Sequence, residues 1–295
     1  SGSAPVITPG TPFELTVRSR FLYGPPASGL EGSADVVIDA DPAPYPQHKG
    51  FRFGLAQESV TARTETIALA ATDASGTVKA ALKLPPVPDT TRPLKADVRV
   101  AVFEPGGRPS REVLTVPVRT QAFALGIRPR FSDDRLPEGA EATFDLIAVD
   151  SDGKPIDKQG LSYELFAEDI NYQWYVREGV YKYRTSVRSR SIRKGTIAVP
   201  ALAPTELAVG PLSFGRYRLE VSAPGSLIDS STRFTVGWHT AAAADDTPDK
   251  LDVSTDKASY RPGETAHVRI ASPFPGEALV TVATDRILDT RTVSV

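Results

Sequence analysis

The stretch that decides the fold is Lys95-Ala96-Asp97-Val98-Arg99-Val100-Ala101-Val102, in which every second residue is apolar. Successive side chains of a β-strand point to opposite faces of the sheet, so this alternation predicts a strand with one buried and one solvated face. The same two-residue period recurs over 77–84, 217–222 and 266–270. We therefore expect a protein built from half-buried strands.

Turn signals separate these runs. They include Asp73-Ala74-Ser75-Gly76 and Asp150-Ser151-Asp152-Gly153. Short strands that are divided by such turns about every ten residues are typical of all-β sandwiches. No long segment shows the 3.6-residue period of a helix, so the sequence predicts an all-β fold of tandem immunoglobulin-like sandwiches with very little helix.

A Pro/Gly turn that leads into an alternating strand occurs three times, in 8–17, 135–149 and 260–271. This recurrence predicts tandem domains, each long enough to close its own core. We predict the first domain at 1–120, the second at 121–238 and a linker at 239–248. Segment 249–295 holds four strands at most, fewer than the roughly seven of a full sandwich. We therefore expect a truncated third domain, whose open edge could pair with another copy.

Composition excludes several classes of function. The chain has 295 residues, a formal net charge of −2 and 40% hydrophobic residues, so a globular core is expected and nothing favours nucleic acid as a partner. No apolar run approaches the roughly 18 residues that a membrane-spanning helix needs. The sequence has no cysteine, so each core must be held by packing without disulfides.

No residue pattern indicates catalysis, a metal or a cofactor. The three histidines, His48, His239 and His267, share no ligand spacing. The acidic pairs lie in turns or the linker, where short acidic side chains bond to nearby backbone: Asp133-Asp134, Asp150 with Asp152, and Asp245-Asp246. A calcium role for Asp150 and Asp152 lacks the rest of a ligand set. We expect no catalytic residue, metal site or cofactor.

The most informative segment is 169–194, which turns at Arg177-Glu178-Gly179. Its candidate interaction residues are Tyr172, Trp174, Tyr175, Tyr181, Tyr183, Arg184, Arg188 and Arg190. One interpretation is an aromatic and arginine surface of the kind that is enriched at interfaces. The other is a long hairpin whose aromatic rings alternate into the core and leave Arg in water. We favour the second, with the tip touching a neighbouring domain. A further aromatic loop, with Tyr45 and 51–53, is expected to be a structured connection.

Several stretches resemble one family. Residues 251–266, which contain Tyr260-Arg261-Pro262-Gly263-Glu264-Thr265, resemble the opening of a macroglobulin-like domain, and 272–282 and 285–289 continue the match. Arg20-Phe21-Leu22-Tyr23-Gly24-Pro25-Pro26-Ala27 resembles the start of another such domain. Segments 172–183 and 214–221, with Gly237-Trp238, resemble a third. In this order they are similar to bacterial alpha-2-macroglobulins, whose macroglobulin-like domains are fibronectin-III-like sandwiches.

This resemblance implies a part of a large protease-trapping inhibitor of the bacterial periplasm. In the family a protease cuts a bait region, and in many members a thioester then bonds to the attacker. This chain has no cysteine for a thioester, and no long segment without strand pattern stands out as bait. The resemblance is therefore to structural scaffold. Its implied partners are neighbouring domains of the parent protein and, through the whole protein, target proteases. Any membrane contact would be through a lipoprotein anchor outside the chain.

Two other function classes stay open. An adhesin or surface array of immunoglobulin-like domains would bind a protein or polysaccharide through the aromatic hairpin. An enzyme would need titratable groups that converge in one pocket, which the sequence does not indicate.

Overall fold

The computed structural model describes residues 1–104, 106–107, 109–237, 251–257, 259–272 and 275–295. Every helix-or-strand element in these residues is a β-strand, which confirms the predicted all-β class. The described part of the chain accordingly contains no helix that could cross a membrane. The predicted linker 239–248, with His239, Asp245 and Asp246, lies outside the described residues, as does Trp238.

Nineteen strands form the described part of the chain. Up to residue 118 they are β1 (Glu14–Arg18), β2 (Gly32–Ala40), β3 (Arg52–Phe53), β4 (Arg63–Leu69), β5 (Thr77–Ala81), β6 (Leu94–Val102) and β7 (Ser110–Val118). From 123 to 236 they are β8 (Phe123–Pro129), β9 (Arg135–Leu136), β10 (Ala142–Asp150), β11 (Lys158–Arg177), β12 (Val180–Val199), β13 (Thr205–Val209), β14 (Gly215–Ser222) and β15 (Asp229–Val236). The last four are β16 (Asp252–Thr255), β17 (Val268–Ala271), β18 (Glu277–Ala283) and β19 (Ile287–Ser294).

The first sandwich packs the sheet β4-β2-β6-β7 against the pair β1-β5. The alternation in 95–102 is realised in β6, where Ala96 and Val98 are fully buried. Val98 lies opposite Val36 of β2 and Leu114 of β7, so three adjacent strands present apolar side chains to the same core. Side-chain alternation in register therefore builds this core without a disulfide.

The second sandwich packs the sheet β13-β10-β8-β3 against β12-β11-β14-β15-β9. An aromatic group fills its centre: the ring centroids of Phe144 and Phe234 are 5.4 Å apart, and Phe131 lies 5.4 Å from each. Tyr217 stacks on Phe234 at 5.6 Å. Interlocked rings of this kind bury large apolar areas and fix the distance between the two sheets.

Strands β16 to β19 form two separate antiparallel pairs, β16-β17 and β18-β19. Apolar side chains of this part are exposed, including Leu279 and Ile287. Arg269 of β17 reaches back to the second sandwich, where its guanidinium pairs with Glu138 at 3.0 Å and lies 3.9 Å from the ring centroid of Phe214. Isolated two-stranded ribbons are only marginally stable in water, so this part depends on contacts that it makes elsewhere.

A buried carboxylate ties the two central strands of one sheet together. Asp145 of β10 accepts hydrogen bonds from Arg128 at 2.8 Å and from Arg130 at 2.8 Å. Burial alone would raise the pKa of Asp145, but the hydrogen bonds and positive charges of Arg130 and Arg128 outweigh it and hold the pKa below its usual value. The ionised carboxylate therefore stabilises the folded state.

We predict that Asp145→Asn lowers the free energy of unfolding at pH 7 by about 1.5–3 kcal/mol, because it removes charge-assisted hydrogen bonds. A group whose folded pKa is depressed stabilises the fold above its unfolded pKa of about 3.9 and loses that contribution as the pH falls through the folded value. The difference in unfolding free energy between wild type and Asp145→Asn should therefore narrow as the pH falls below about 3.9. Urea unfolding between pH 7 and pH 2 measures this difference. A difference that does not change with pH would contradict the stabilising role of the ionised Asp145 carboxylate.

Candidate interaction surfaces: the domain junction and the long hairpin

A strand from the first sandwich completes a sheet of the second. Arg52 and Phe53, which form β3, pair antiparallel with Ile127 and Gly126 of β8. The Arg52 guanidinium also donates to the Asp134 carboxylate at 2.8 Å and to the Thr232 hydroxyl at 2.8 Å. Segment 41–58, which belongs to the first unit by sequence, therefore acts as an insertion into the second. We call 41–58 the junction segment.

Gly54 follows β3 and makes backbone contacts that no other residue type suits. Its N–H donates to the Ser230 hydroxyl at 2.9 Å, and its carbonyl accepts from the Ser231 N–H at 3.1 Å. Its φ of +78° lies in the left-handed region, and a Cβ there would be 2.7 Å from Arg92 Cα. Conformation and space both require glycine at this position.

An aromatic cluster seals the same junction. Tyr45 and Phe53 lie 4.8 Å apart between ring centroids and pack against Ile147 and Val149 of β10. The Arg119 guanidinium lies 4.6 Å from the Tyr45 ring centroid. Burial raises the pKa of the Tyr45 hydroxyl, the charge of Arg119 opposes that rise, and Asp150 and Asp41 reinforce it. The phenol is thus neutral at pH 7, and the cluster acts as packing.

The histidine and aspartates that the sequence singled out serve structural roles here. His48 Nε2 lies 2.7 Å from the Gly153 carbonyl oxygen, which requires a proton on that nitrogen. Asp150 Oδ1 accepts hydrogen bonds from the N–H groups of Asp152 and Lys154, both at 2.9 Å, as a turn aspartate does. In the residues that the structure describes, no group of three or more His, Cys, Asp or Glu could hold a metal ion.

The second surface is the hairpin of β11 and β12, each 20 residues long. β14 pairs with β11 only from Ser162 to Glu168, so 169–188 continues beyond the sandwich as a two-stranded ribbon. The ribbon turns at Glu178 and Gly179, both with positive φ. We call 169–188 the hairpin extension.

The hairpin extension exposes its aromatic residues. Trp174 retains 47% of its accessible surface and Tyr181 retains 75%. Tyr175, Tyr183, Arg184, Arg188 and Arg190 are also exposed, and Tyr172 is half-buried. The favoured expectation that these rings alternate into the core is wrong, because no sheet among the described residues faces the extension. The same expectation included pairing of aromatic residues across the strands, and this pairing is present, because Trp174 lies opposite Tyr183.

A buried ionic group, which sequence reasoning missed, anchors the hairpin at its base. Arg218 of β14 donates to Glu168 Oε1 at 2.7 Å, and Arg233 of β15 donates to Glu168 Oε2 at 2.9 Å. Glu220 also pairs with Arg218, whose guanidinium lies 4.4 Å from the centroid of Phe166. The only available signal was that Arg218 and Glu220 occupy the polar positions of an alternating strand. This group fixes the point at which the ribbon leaves the sheet.

Comparison with known proteins gives three consecutive family matches. Residues 1–119 match the model of the bacterial alpha-2-macroglobulin MG5 domain, and 126–238 match bacterial macroglobulin domain 6. Residues 251–295 match the alpha-2-macroglobulin bait region domain, where sequence analysis expected a truncated macroglobulin-like domain.

Curated relatives and solved structures agree with these matches. The chain is 30% identical to an alpha-2-macroglobulin of Xylella fastidiosa strain 9a5c over 98% of its own length and 18% of the relative's. It is 26% identical to alpha-2-macroglobulin of Escherichia coli K12, again over 18% of the relative. The whole chain also matches the structure of native E. coli alpha-2-macroglobulin, with 25% identity and a TM-score of 0.71. The matched part is 20% of that protein. The chain thus spans at most about a fifth of these relatives.

We predict that Gly54→Ala lowers the free energy of unfolding more than Gly→Ala at a position outside the junction. Gly225 is the matched control, since its φ is +80° but open space surrounds the Cβ position. Gly225→Ala should cost roughly 1 kcal/mol for the left-handed conformation alone. Gly54→Ala should cost clearly more, because a methyl group collides with the Arg92 backbone. Urea unfolding gives both losses, and hydrogen exchange at the Ser231 amide should accelerate only in Gly54→Ala. Equal losses would contradict this description of the junction.

Proposed function

The chain belongs to the bacterial alpha-2-macroglobulin family, and from that premise we propose that it is a structural part of a protease-trapping inhibitor. The observation that carries the proposal is the order of the matches: MG5 domain, domain 6 and bait region domain follow one another along one chain. Inhibition would then be an activity of the whole protein. In this chain, the two sandwiches would hold the protease-accessible segment 251–295 in place.

The two sandwiches suit the role of support. Each has a closed apolar core, and the junction segment adds a strand, an aromatic cluster and an ion pair between them. Contacts of several kinds at one interface restrict hinge motion more than a flexible linker does. We propose that this part keeps its shape when a protease acts on the rest.

Residues 251–295 suit the role of the accessible segment. Among their described side chains only Ser254 and Ala278 are buried. β16 and β17 pair over four residues, and the ribbon β18-β19 has no third strand in the described chain. Such ribbons open locally at low free-energy cost, and a protease requires an opened backbone. We propose that target proteases meet the chain here.

The chain itself would supply no covalent chemistry. It has no cysteine, so a thioester in the parent protein would have to come from another part. The aspartates and His48 at the junction are engaged in turns and backbone hydrogen bonds. We infer that the chain is not an enzyme.

Location and assembly are two further proposals. By family resemblance we propose that the chain works in the periplasm, with any membrane attachment through a lipoprotein anchor outside 1–295. We also propose that the open edges of β16 to β19 pair with a neighbouring domain or a second copy. Cell fractionation tests the location, and sedimentation of the chain over a concentration range tests pairing between copies. A cytosolic protein and a monomer at all concentrations would contradict the two proposals.

We predict that limiting trypsin cuts the chain first within 251–295, where Arg286 and Arg291 are exposed on short or open elements. Most of the described arginines of 1–237 lie in paired strands of the sandwiches and the hairpin and should be cut later. Mass spectrometry of the early fragments identifies the sites. The chain alone should yield fragments and no stoichiometric covalent adduct with the protease. First cuts within 1–237, or an adduct, would contradict the proposed role.

A further inference from the structure

The apolar side chains of β11 change from its core-facing side to its outer side at Glu168. Up to that residue the side chains that face the second core are apolar, as with Leu161 and Leu165. The opposite face there carries Glu164 and Glu168, which are directed away from the core. Because side chains alternate along a strand, the same outer face continues through Ile170, Tyr172 and Trp174. The apolar side of the extension therefore points away from the domain's own core.

This outer side is a continuous uncharged surface. It consists of Ile170, Tyr172, Trp174 and Val176 on β11, which lie opposite Val187, Thr185, Tyr183 and Tyr181 on β12. We call these eight residues the aromatic face. The Tyr183 ring contacts Trp174 at 5.6 Å and Tyr172 at 6.1 Å between centroids, both edge to face. Rings that already hold one another lose little further freedom when a partner binds.

The side opposite the aromatic face is basic. Lys182, Arg184 and Arg188 lie there, and the hairpin extension contains four Lys or Arg against two Asp or Glu. Since the whole chain has 34 basic and 36 acidic residues, the rest has 30 basic against 34 acidic. The hairpin extension is thus a basic projection on an otherwise acidic molecule.

The aromatic face is too small for a stable complex between free molecules. The face has eight residues, whereas a standard interface between free proteins uses about 20–30 residues on each partner. A partner that is covalently tethered meets the face at an effective concentration of about millimolar, so a small face suffices. The net positive charge of the extension repels a second hairpin, which disfavours pairing of two identical aromatic faces.

We propose that the aromatic face docks on another domain of the same polypeptide, onto an apolar patch that acidic residues border. The proposal rests on the proposed function, because the relatives that the chain matches are more than five times its length. The uncharged face excludes water, and the positive charge on the other side of the ribbon favours an acidic surface around the patch. Docking would hold the two-sandwich body against a remote part of the inhibitor.

The test reads the exposure of Trp174 in a Trp238→Phe background, so that it is the sole tryptophan of this segment. Acrylamide quenching is compared between chain 1–295 and the complete gene product, with other tryptophans of the latter replaced by phenylalanine. We expect Trp174 to be readily quenched in 1–295 and several-fold less quenched in the complete product. Equal quenching in both would overturn the proposal, as would a gene product with no further domain.

Matched variants separate docking from general shielding. Tyr183→Arg puts a charge on the aromatic face, whereas Gln173→Arg puts the same charge on the opposite face. In the complete product, Tyr183→Arg should restore quenching to its level in the same variant of 1–295, and Gln173→Arg should leave Trp174 shielded. Identical behaviour of the two variants would overturn the proposal.

Other occupants give distinct results. Shielding of Trp174 in 1–295 by anionic phosphatidylglycerol vesicles, or by a rise in its own concentration, together with full quenching in the complete product, would assign the face to a membrane or a second copy instead. Protease inhibition by the complete product is measured in parallel. If inhibition persists while Trp174 is fully quenched, the docking proposal fails and the proposed function stands.

Discussion

The insertion of the junction segment into the edge of a neighbouring sheet is the contact on which the rest of the structure depends. Two sandwiches in tandem would normally move about their connection, since few contacts cross such a boundary. Here β3 adds backbone hydrogen bonds to β8, and Gly54 lets the chain approach Ser230 and Ser231 closely enough to continue them. The apolar contact between Tyr45 and Phe53 excludes water from these bonds. We propose that the pair therefore behaves as one body with two cores.

On that body, the hairpin extension and residues 251–295 contrast in their physical state. The extension continues two strands of a five-stranded sheet and is anchored at its base by Glu168 and Arg218, so its surface is held more firmly than that of a separate ribbon. Residues 251–295 form short ribbons whose apolar side chains remain exposed. A fixed surface suits recognition, whereas an incompletely packed segment suits cleavage. We propose that the chain combines both properties within an inhibitor that works through shape.

The fold was predictable from the sequence because alternation is a local property. The stretch 95–102 shows its buried face directly, and β6 realises it. The junction was not predictable, because the pairing of Arg52 with Ile127 joins residues from separate units and leaves no periodic trace. The hairpin was misjudged for the same reason: alternation identifies two faces at Trp174 and Tyr175 but does not say whether a second sheet covers either. That the faces are uncovered follows from the structure alone, in which β11 extends beyond the end of its partner β14.

The central claim, that the junction segment makes one rigid body of two sandwiches, is tested most directly by residual dipolar couplings of backbone amides in weakly aligned chain 1–295. Amides of β2 and β6 report the first sandwich, and those of β10 and β14 report the second. If the body is rigid, one alignment tensor fits both sets with the interdomain orientation of the structure. Two tensors of different magnitude or direction would show that the sandwiches move independently and would contradict the account.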